Sequence, residues 1–395
     1  WSIYLYREQF LIKTFRYKLM NKSRLLLEPR FLYTLMQQGR SKLSRPKEVS
    51  KLKQALAIVF LIITMMLPGA CGNTLQTDMG SEEGSRATAD SMGNGKDSKS
   101  DAQMDENYLF TRNTAISDVI ADPVFGGYGR LIFPVDEGYY RGDTLESLSL
   151  AWYSHIDPDK TVEIVNYMKT HAEAGEHIFF DIYTDEEKAD DPEKADTGLF
   201  FFKGNPGEKF AICNAGGGFA YVGAMHDSFP HALELSKQGH NAFALIYRPG
   251  AQTACEDLAR AVSFVFEHSE ELQIDTDCYS LWGGSAGARM AAYLGTYGTE
   301  AFGGGDLPGP GAVVMQYTGH SEYSKDDPPT YACVGKNDGI ADWRTMQNRL
   351  EQMSVLGIDT EFESFSGLSH GFGLGTGTAA EGWMKNAVAF WEKQM

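Results

Sequence analysis

The sequence predicts an α/β domain with a mostly parallel, eight-stranded sheet, helices on both faces and a preceding flanking or lid segment. Strand-like and helix-like segments alternate from Ile178 onward. The first two strand-like segments, 178–184 and 198–203, are separated by the acidic run Asp185–Asp196 and are expected to pair as an antiparallel hairpin. The later segments alternate strand, helix, strand, which requires parallel pairing through right-handed crossovers. We interpret the acidic run as a solvated turn and not as a metal site.

Six further strands and five helices are expected in this domain. The strands are predicted at 209–214, 241–248, 278–284, 312–318, 330–335 and 359–365, and the helices at about 225–238, 254–270, 286–297, 342–356 and 379–394. In the preceding segment, Asp157 followed by Pro158 predicts a helix start, because Asp caps a helix and Pro fits its first position. Gly175 is expected to end that helix.

Charge and cysteine content limit the possible partners. The chain has a formal charge of −18, to which residues 1–53 contribute +10 and the rest −28. The strongly negative charge of the residues after 53 repels nucleic acid and anionic lipid, so neither is expected as a partner. No Cys/His cluster has the ligand spacing of a zinc site. The cysteines that follow Cys71 are expected to be free thiols: Cys213, Cys255, Cys278 and Cys333.

The N-terminal region is typical of an exported, tethered protein. The apolar run Ala55–Leu67 follows basic residues, is short for a spanning helix, and leads into Leu67-Pro68-Gly69-Ala70-Cys71, which resembles a bacterial lipobox. We therefore expect an extracytoplasmic protein, either anchored to a membrane through lipid on Cys71 or secreted. The expected segments are a basic extension with candidate native starts at Met20 and Met36 (1–53), a signal with lipobox (54–71), a disordered tether (72–107), a flanking or lid segment (108–177) and the main domain (178–395).

The most specific motif is Gly283-Gly284-Ser285-Ala286-Gly287, which ends an apolar strand and begins a helix. A serine at such a turn is held in a strained backbone conformation, and the flanking glycines keep strand and helix from colliding. The Oγ atom then projects from the sheet edge, and the next amide points at whatever Oγ attacks. Ser285 is therefore the candidate nucleophile.

A serine nucleophile needs a base and a carboxylate that orients the base. His370 lies between the last strand and the last helix, and it is the one histidine that follows both Ser285 and Asp338 in the sequence. Asp338 follows a predicted strand, so the chain has the order Ser, Asp, His. Asp342 is the alternative carboxylate, but its position is that of a helix cap.

Three consecutive glycines follow the strand 209–214. A phosphate-binding loop would continue with Lys and Ser or Thr, and this one does not. Glycines allow backbone amides to approach a substrate oxygen closely, so we assign the amides of Gly217, Gly218 and Ala286 to an oxyanion hole.

Four side chains near this loop have candidate roles. Phe219 and Tyr221 are candidate substrate-binding residues. His226 and His231 are close enough in sequence to contact substrate, but helix-surface or capping roles fit them better.

The combination of Ala215–Phe219, the Ser285 motif, Asp338 and Ser369-His370-Gly371-Phe372 resembles the α/β-hydrolase esterases. It is most similar to the acetyl esterase/lipase and hormone-sensitive-lipase-like group, which includes carbohydrate esterases. The resemblance covers 178–395 and implies a catalytic domain of that fold, which hydrolyses short acyl (acetyl) esters without a metal or organic cofactor. A small-molecule ester or an acetylated plant polysaccharide is the expected substrate.

Within this resemblance, one residue departs from the group and three support it. Many members have His where this chain has Ala215, a difference that concerns how the glycine loop is anchored. Tyr247, Arg248 and Asp257 match the group, which implies structural roles for them.

Two other functions are open from the sequence. A serine peptidase of the same fold often carries a propeller or large cap, for which 108–177 gives no room. A non-catalytic binding protein on a hydrolase scaffold would usually have lost Ser, His or Asp, and all three are present.

The lipobox predicts covalent lipid on Cys71. Cells that produce the protein in the presence of a radioactive fatty acid should yield labelled protein, and Cys71→Ala should abolish the label because it removes the acceptor thiol. Absence of label on the unsubstituted chain would end this interpretation.

Overall fold

The computed structural model describes residues 108–134 and 139–395. The predicted basic extension, signal, lipobox with Cys71 and tether lie outside the described residues. Within those residues, no helix combines the length and apolar character needed to cross a membrane.

The segment before the main sheet is folded. It contains α1 (Ile116–Ala121), a 3₁₀ segment (Pro123–Leu131), a small antiparallel ribbon of β1 (Tyr140–Arg141) and β2 (Ser149–Leu150), and α2 (Pro158–Glu173). Helix α2 begins as predicted, with the Asp157 carboxylate accepting the amides of Asp159 and Lys160 and with Pro at the first position. The ring of Tyr128 stacks on Phe179 at a centroid distance of 4.8 Å, which holds the segment against the edge of the main sheet.

The main sheet has the eight predicted strands. They are β3 (Phe179–Phe180), β4 (Gly198–Phe202), β5 (Lys209–Asn214), β6 (Asn241–Ile246), β7 (Asp275–Gly284), β8 (Ala312–Gln316), β9 (Thr330–Gly335) and β10 (Thr360–Phe365), in the spatial order β10-β9-β8-β7-β5-β6-β4-β3. Strands β5 to β10 pair in parallel. The hairpin of β3 and β4 is confirmed, although β3 is much shorter than predicted. Strand β4 also pairs antiparallel with β6, because a short loop and not a helix joins β4 to β5.

The predicted helices are all present and pack around this sheet. The helices expected at 225–238 and 254–270 are each divided in two, so the five predictions correspond to seven helices: α4 (Ala224–Asp227), α5 (Phe229–Lys237), α6 (Ala251–Glu267), α7 (Ser269–Leu272), α8 (Ala286–Tyr297), α9 (Trp343–Val355) and α10 (Trp383–Glu392). The helix expected at 225–238 is broken at Ser228, just before Pro230, whose ring cannot continue a helix from the preceding turn. Strands β4, β6, β8 and β9 are buried along their whole length, as expected of a covered parallel sheet.

The acidic run is not the simple turn that the sequence predicted. It forms α3 (Asp185–Asp190) and a 3₁₀ segment (Pro192–Asp196), because Thr184 and Glu187 make a complete capping box. Asp191 in this run pairs with Arg248 at 2.5 Å, so part of the acidic charge is structural.

Two further expectations concern buried groups. Arg248 also pairs with the fully buried carboxylate of Asp257 at 2.7 Å, in line with the structural role that the resemblance implied. Each of the four cysteines among the described residues is a free thiol.

Candidate active site

Ser285 lies at the turn between β7 and α8, with φ 52° and ψ −109°. A Cβ on Gly287 would overlap the carbonyl oxygen of Asn214, and a Cβ on Gly283 would overlap the backbone of Gly287. The glycines are therefore required by close packing of β7, α8 and β5, as the motif predicted. Ser285 remains partly exposed, so its hydroxyl can be reached from solvent.

The structure brings Ser285, His370 and Asp338 together. The Ser285 Oγ lies 3.1 Å from His370 Nε2, and His370 Nδ1 lies 2.7 Å from Asp338 Oδ2. The other oxygen of Asp338 accepts the amides of Ile340 and Ala341 at 2.7 and 2.8 Å. The Asp338 side chain is fully buried, and these hydrogen bonds fix its orientation. This is the geometry in which an imidazole can take a proton from a hydroxyl.

Asp342 has the role that the sequence favoured for it. Its carboxylate accepts the amide of Arg344 at 3.0 Å and caps α9, and its side chain is largely exposed.

The glycine loop passes beside Ser285. A Cβ on Gly216 would lie 2.8 Å from the Cβ of Ser285. Gly217 and Gly218 have φ values of 127° and 65°, which favour glycine. Among the described residues, the amides of Gly217, Gly218 and Ala286 donate to no other group, so they are free to bind an oxyanion.

Residues just before α2 reach the rim of the site. The ring of Trp152 would lie 3.2 Å from a Cβ on Gly218, and it is 49% exposed. Trp152 has a φ of 71°, a costly conformation for a bulky residue. Ser154 holds this stretch in place, because its Oγ and amide donate to the carbonyls of His370 and Gly371, each at 2.9 Å. The flanking segment therefore contributes directly to the site.

The two candidate substrate-binding residues differ in position. Tyr221 is buried, stacks on Tyr139 at 4.7 Å and donates its hydroxyl to the carbonyl of Ala151 at 2.5 Å. It supports the rim from beneath. Phe219 is partly buried and has a left-handed φ of 60°.

His226 and His231 are not on a helix surface, contrary to the sequence prediction. Both are buried, and burial lowers the pKa of His226 to about 4 and that of His231 to about 3. His226 Nε2 donates to the carbonyl of Gly371 at 2.9 Å, so it supports the loop that carries His370. His231 packs against the ring of Trp383.

Sequence reasoning missed Asp227 and Tyr317. Asp227 follows His226 at the end of α4 and is 2% exposed, and Tyr317 lies just after β8 and donates its hydroxyl to Asp227. Burial raises the pKa of Asp227 to about 6, although hydrogen bonds from neighbours oppose the shift. No local motif marks either residue, since ninety positions separate them in sequence.

Among the described residues, no group of three or more His, Cys, Asp or Glu side chains is arranged to hold a metal ion.

Among curated proteins, none is significantly similar in sequence. A family model described as BD-FAE matches residues 207–359, which include the glycine loop, Ser285 and Asp338 and end before His370. That domain is an α/β-hydrolase esterase domain, so the resemblance predicted from the motifs is confirmed. The protein is a carboxylic ester hydrolase with the α/β-hydrolase fold.

Several solved structures are also similar to the esterase. An acetyl ester-xyloside bifunctional hydrolase from Caldicellulosiruptor lactoaceticus is 20% identical with a TM-score of 0.47, over 54% of this chain and 95% of its own. The α/β hydrolase MGS-M1 from a Medee basin deep-sea metagenome library is 22% identical with a TM-score of 0.42, over 50% and 92%. Esterase 2 of Thermogutta terrifontis, phosphorylated by paraoxon, is 20% identical with a TM-score of 0.43, over 50% and 88%.

The contrast between Asp338 and Asp342 predicts different effects of matched substitutions. Asp338→Asn should lower kcat for p-nitrophenyl acetate by about 10³- to 10⁴-fold, because the amide cannot hold His370 in the correct tautomer. Asp342→Asn should leave kcat within about twofold, because Asn also caps helices. Equal losses in the two variants would contradict the assignment of the carboxylate.

Proposed function

We propose that the protein hydrolyses short-chain acyl esters, acetyl esters above all, through a Ser285–His370–Asp338 triad and an acyl-enzyme intermediate. The observation that carries the proposal is the continuous line of hydrogen bonds from the Ser285 Oγ through the imidazole to the buried carboxylate.

In the first half of the reaction, the Ser285 Oγ attacks the ester carbonyl carbon while His370 Nε2 takes the Oγ proton. The Asp338 carboxylate holds the Nδ1 proton and stabilises the imidazolium that forms. The carbonyl oxygen becomes an oxyanion and accepts hydrogen bonds from the free amides of Gly217, Gly218 and Ala286. A donor of this kind contributes about 2.7–4 kcal/mol to stabilising the transition state.

In the second half, the tetrahedral intermediate collapses and the bond to the alcohol oxygen breaks. His370 gives its proton to the departing alcohol, which leaves an acyl group on Ser285. Water then attacks this acyl group, and His370 takes a proton from the water. The bond between the acyl carbon and Oγ then breaks, Oγ takes back a proton from His370, and the carboxylic acid leaves.

The exposed ring of Trp152 at the rim of the site favours a substrate that carries a sugar. Trp152 presents half of its surface to solvent beside Gly218, and Tyr139 packs against it at a centroid distance of 5.5 Å. A flat apolar ring held in a strained conformation next to an oxyanion hole offers a face on which a pyranose ring can stack. We therefore include acetylated polysaccharide among the proposed substrates.

The proposed location is outside the cytoplasm, on a membrane through a lipid on Cys71 or secreted. It rests on the lipobox-like sequence and the polar tether that follows it. A polymeric substrate is compatible with that location, since a large polysaccharide does not enter the cell.

Ser285→Ala tests the proposed reaction. The variant should retain its melting temperature and lose p-nitrophenyl acetate hydrolysis by about 10⁵- to 10⁶-fold, because no other hydroxyl occupies the position of Oγ. A fluorophosphonate probe should label the unsubstituted enzyme and not the variant. Turnover or labelling that survives in Ser285→Ala would refute the proposal.

Trp152→Ala tests the proposed sugar site. We expect KM for an acetylated xylo-oligosaccharide to rise about five- to tenfold, because the stacking surface is lost, while KM for p-nitrophenyl acetate changes much less. Tyr323→Ala is the matched control, since Tyr323 is also an exposed aromatic residue. If Trp152→Ala affects both substrates equally, Trp152 does not select for sugar.

A further inference from the structure

The carboxylate of Asp227 is buried directly behind the active site. One oxygen accepts the amide of Gly216 at 2.6 Å and the hydroxyl of Tyr153 at 2.9 Å, and the other accepts the hydroxyl of Tyr317. A buried carboxylate with three donors is strongly held, because hydrogen bonds to an ionised acceptor are stronger than neutral ones.

Each donor belongs to a different part of the site. Gly216 begins the glycine loop that carries two of the proposed oxyanion donors, Gly217 and Gly218. Tyr153 follows Trp152 at the rim. The ring of Tyr317 contacts the imidazole of His370 edge to face, with centroids 5.0 Å apart.

The turn at Ser285 also depends on this carboxylate. A Cβ on Gly284, the residue before the nucleophile, would overlap both oxygens of Asp227. Position 284 must therefore be glycine because the carboxylate fills the space behind the turn.

The glycine loop is anchored at two successive peptide groups. The hydroxyl of Tyr247 donates to the carbonyl of Ala215 at 2.6 Å, and Asp227 accepts the amide of Gly216. The loop then turns at Gly217, whose carbonyl accepts the amides of Ala220 and Tyr221. A shift of the Gly216 amide would move the amides of Gly217 and Gly218 directly, since these are the next two residues.

We propose that Asp227 is a positioning residue of the esterase, whose carboxylate fixes the glycine loop and Tyr317 relative to Ser285 and His370. This proposal rests on the proposed function. It assigns no contact with substrate to Asp227 itself.

The charge state of Asp227 makes the proposal testable. Its pKa is raised to about 6 by burial, and hydrogen bonds from Tyr317, Gly216 and Tyr153 and the nearby His370 oppose that rise. Below this pH the carboxyl group is neutral, so it is a weaker acceptor and no longer holds its three donors as strongly. The ionised, fully accepting form is present above it. The other titratable groups that face Asp227 are Tyr221, Tyr247, Cys213 and Cys333.

Asp227→Asn removes the charge and keeps the shape. We expect kcat for p-nitrophenyl acetate to fall by about 10²-fold while KM changes less than about threefold, because a displacement of about 1 Å in a catalytic group has an effect of this size. Asp327→Asn is the matched control: Asp327 is also fully buried and pairs with Arg349, outside the site. It should lower the melting temperature and leave kcat near that of the unsubstituted enzyme.

The pH profile separates positioning from a purely structural role. Tyr317→Phe keeps the ring against His370 but removes a hydrogen bond that lowers the pKa of Asp227. The midpoint of the acid limb of kcat/KM should therefore move to higher pH. In the Asp227→Asn background, the same Tyr317→Phe substitution should leave the acid limb where it is.

Three results would overturn the proposal. The first is an unchanged kcat in Asp227→Asn. The second is that Asp227→Asn and Asp327→Asn, at equal loss of stability, lose kcat equally. The third is that Tyr317→Phe still moves the acid limb of kcat/KM when Asp227 has been replaced by Asn. If Asp227→Asn does not fold, the proposal is tested with Tyr317→Phe alone. A move of the acid limb of kcat/KM to higher pH supports it, and an unmoved acid limb contradicts it. An enzyme whose activity survives Ser285→Ala refutes the proposed function instead.

Discussion

The active site depends on one strained turn, at Ser285. A left-handed φ costs a non-glycine residue on the order of 1–3 kcal/mol, so the surrounding structure must hold it there. The Ser285 amide donates to the carbonyl of Gln316 on β8 at 2.9 Å, and Gly287 packs against the backbone of Asn214 on β5. The two strands beside β7 therefore fix the turn, and the turn directs Oγ toward His370.

The sequence predicted most of the sheet and the three residues that meet at its edge, because those features are local. Strand and helix periods, and the glycines around Ser285, are set by nearby residues. The second antiparallel pair, between β4 and β6, was not predicted, since pairing between distant strands leaves no local pattern. The burial of His226 and His231 was missed for a related reason. Helices α4 and α5 bury most of their residues, both histidines included, against parts of the chain that are distant in sequence.

Asp227 shows the limit of motif reasoning most clearly. Its partners Tyr153, Gly216 and Tyr317 are 74, 11 and 90 positions away in sequence, and only folding brings them to one carboxylate. The sole sequence signal was indirect. Gly284 is an extra glycine inside the motif, and its absence of a side chain is explained by the space that Asp227 occupies.

The same contacts explain why Ala215 is tolerated where many related esterases have histidine. Ala215 has no polar side chain that could hold the loop. Here the carbonyl of Ala215 and the amide of Gly216 are each held by a buried group, Tyr247 on one side and Asp227 on the other. Ala215 is itself fully buried, so a small apolar side chain fits the space that these two anchors leave. In this chain the loop is therefore anchored by residues that lie behind it.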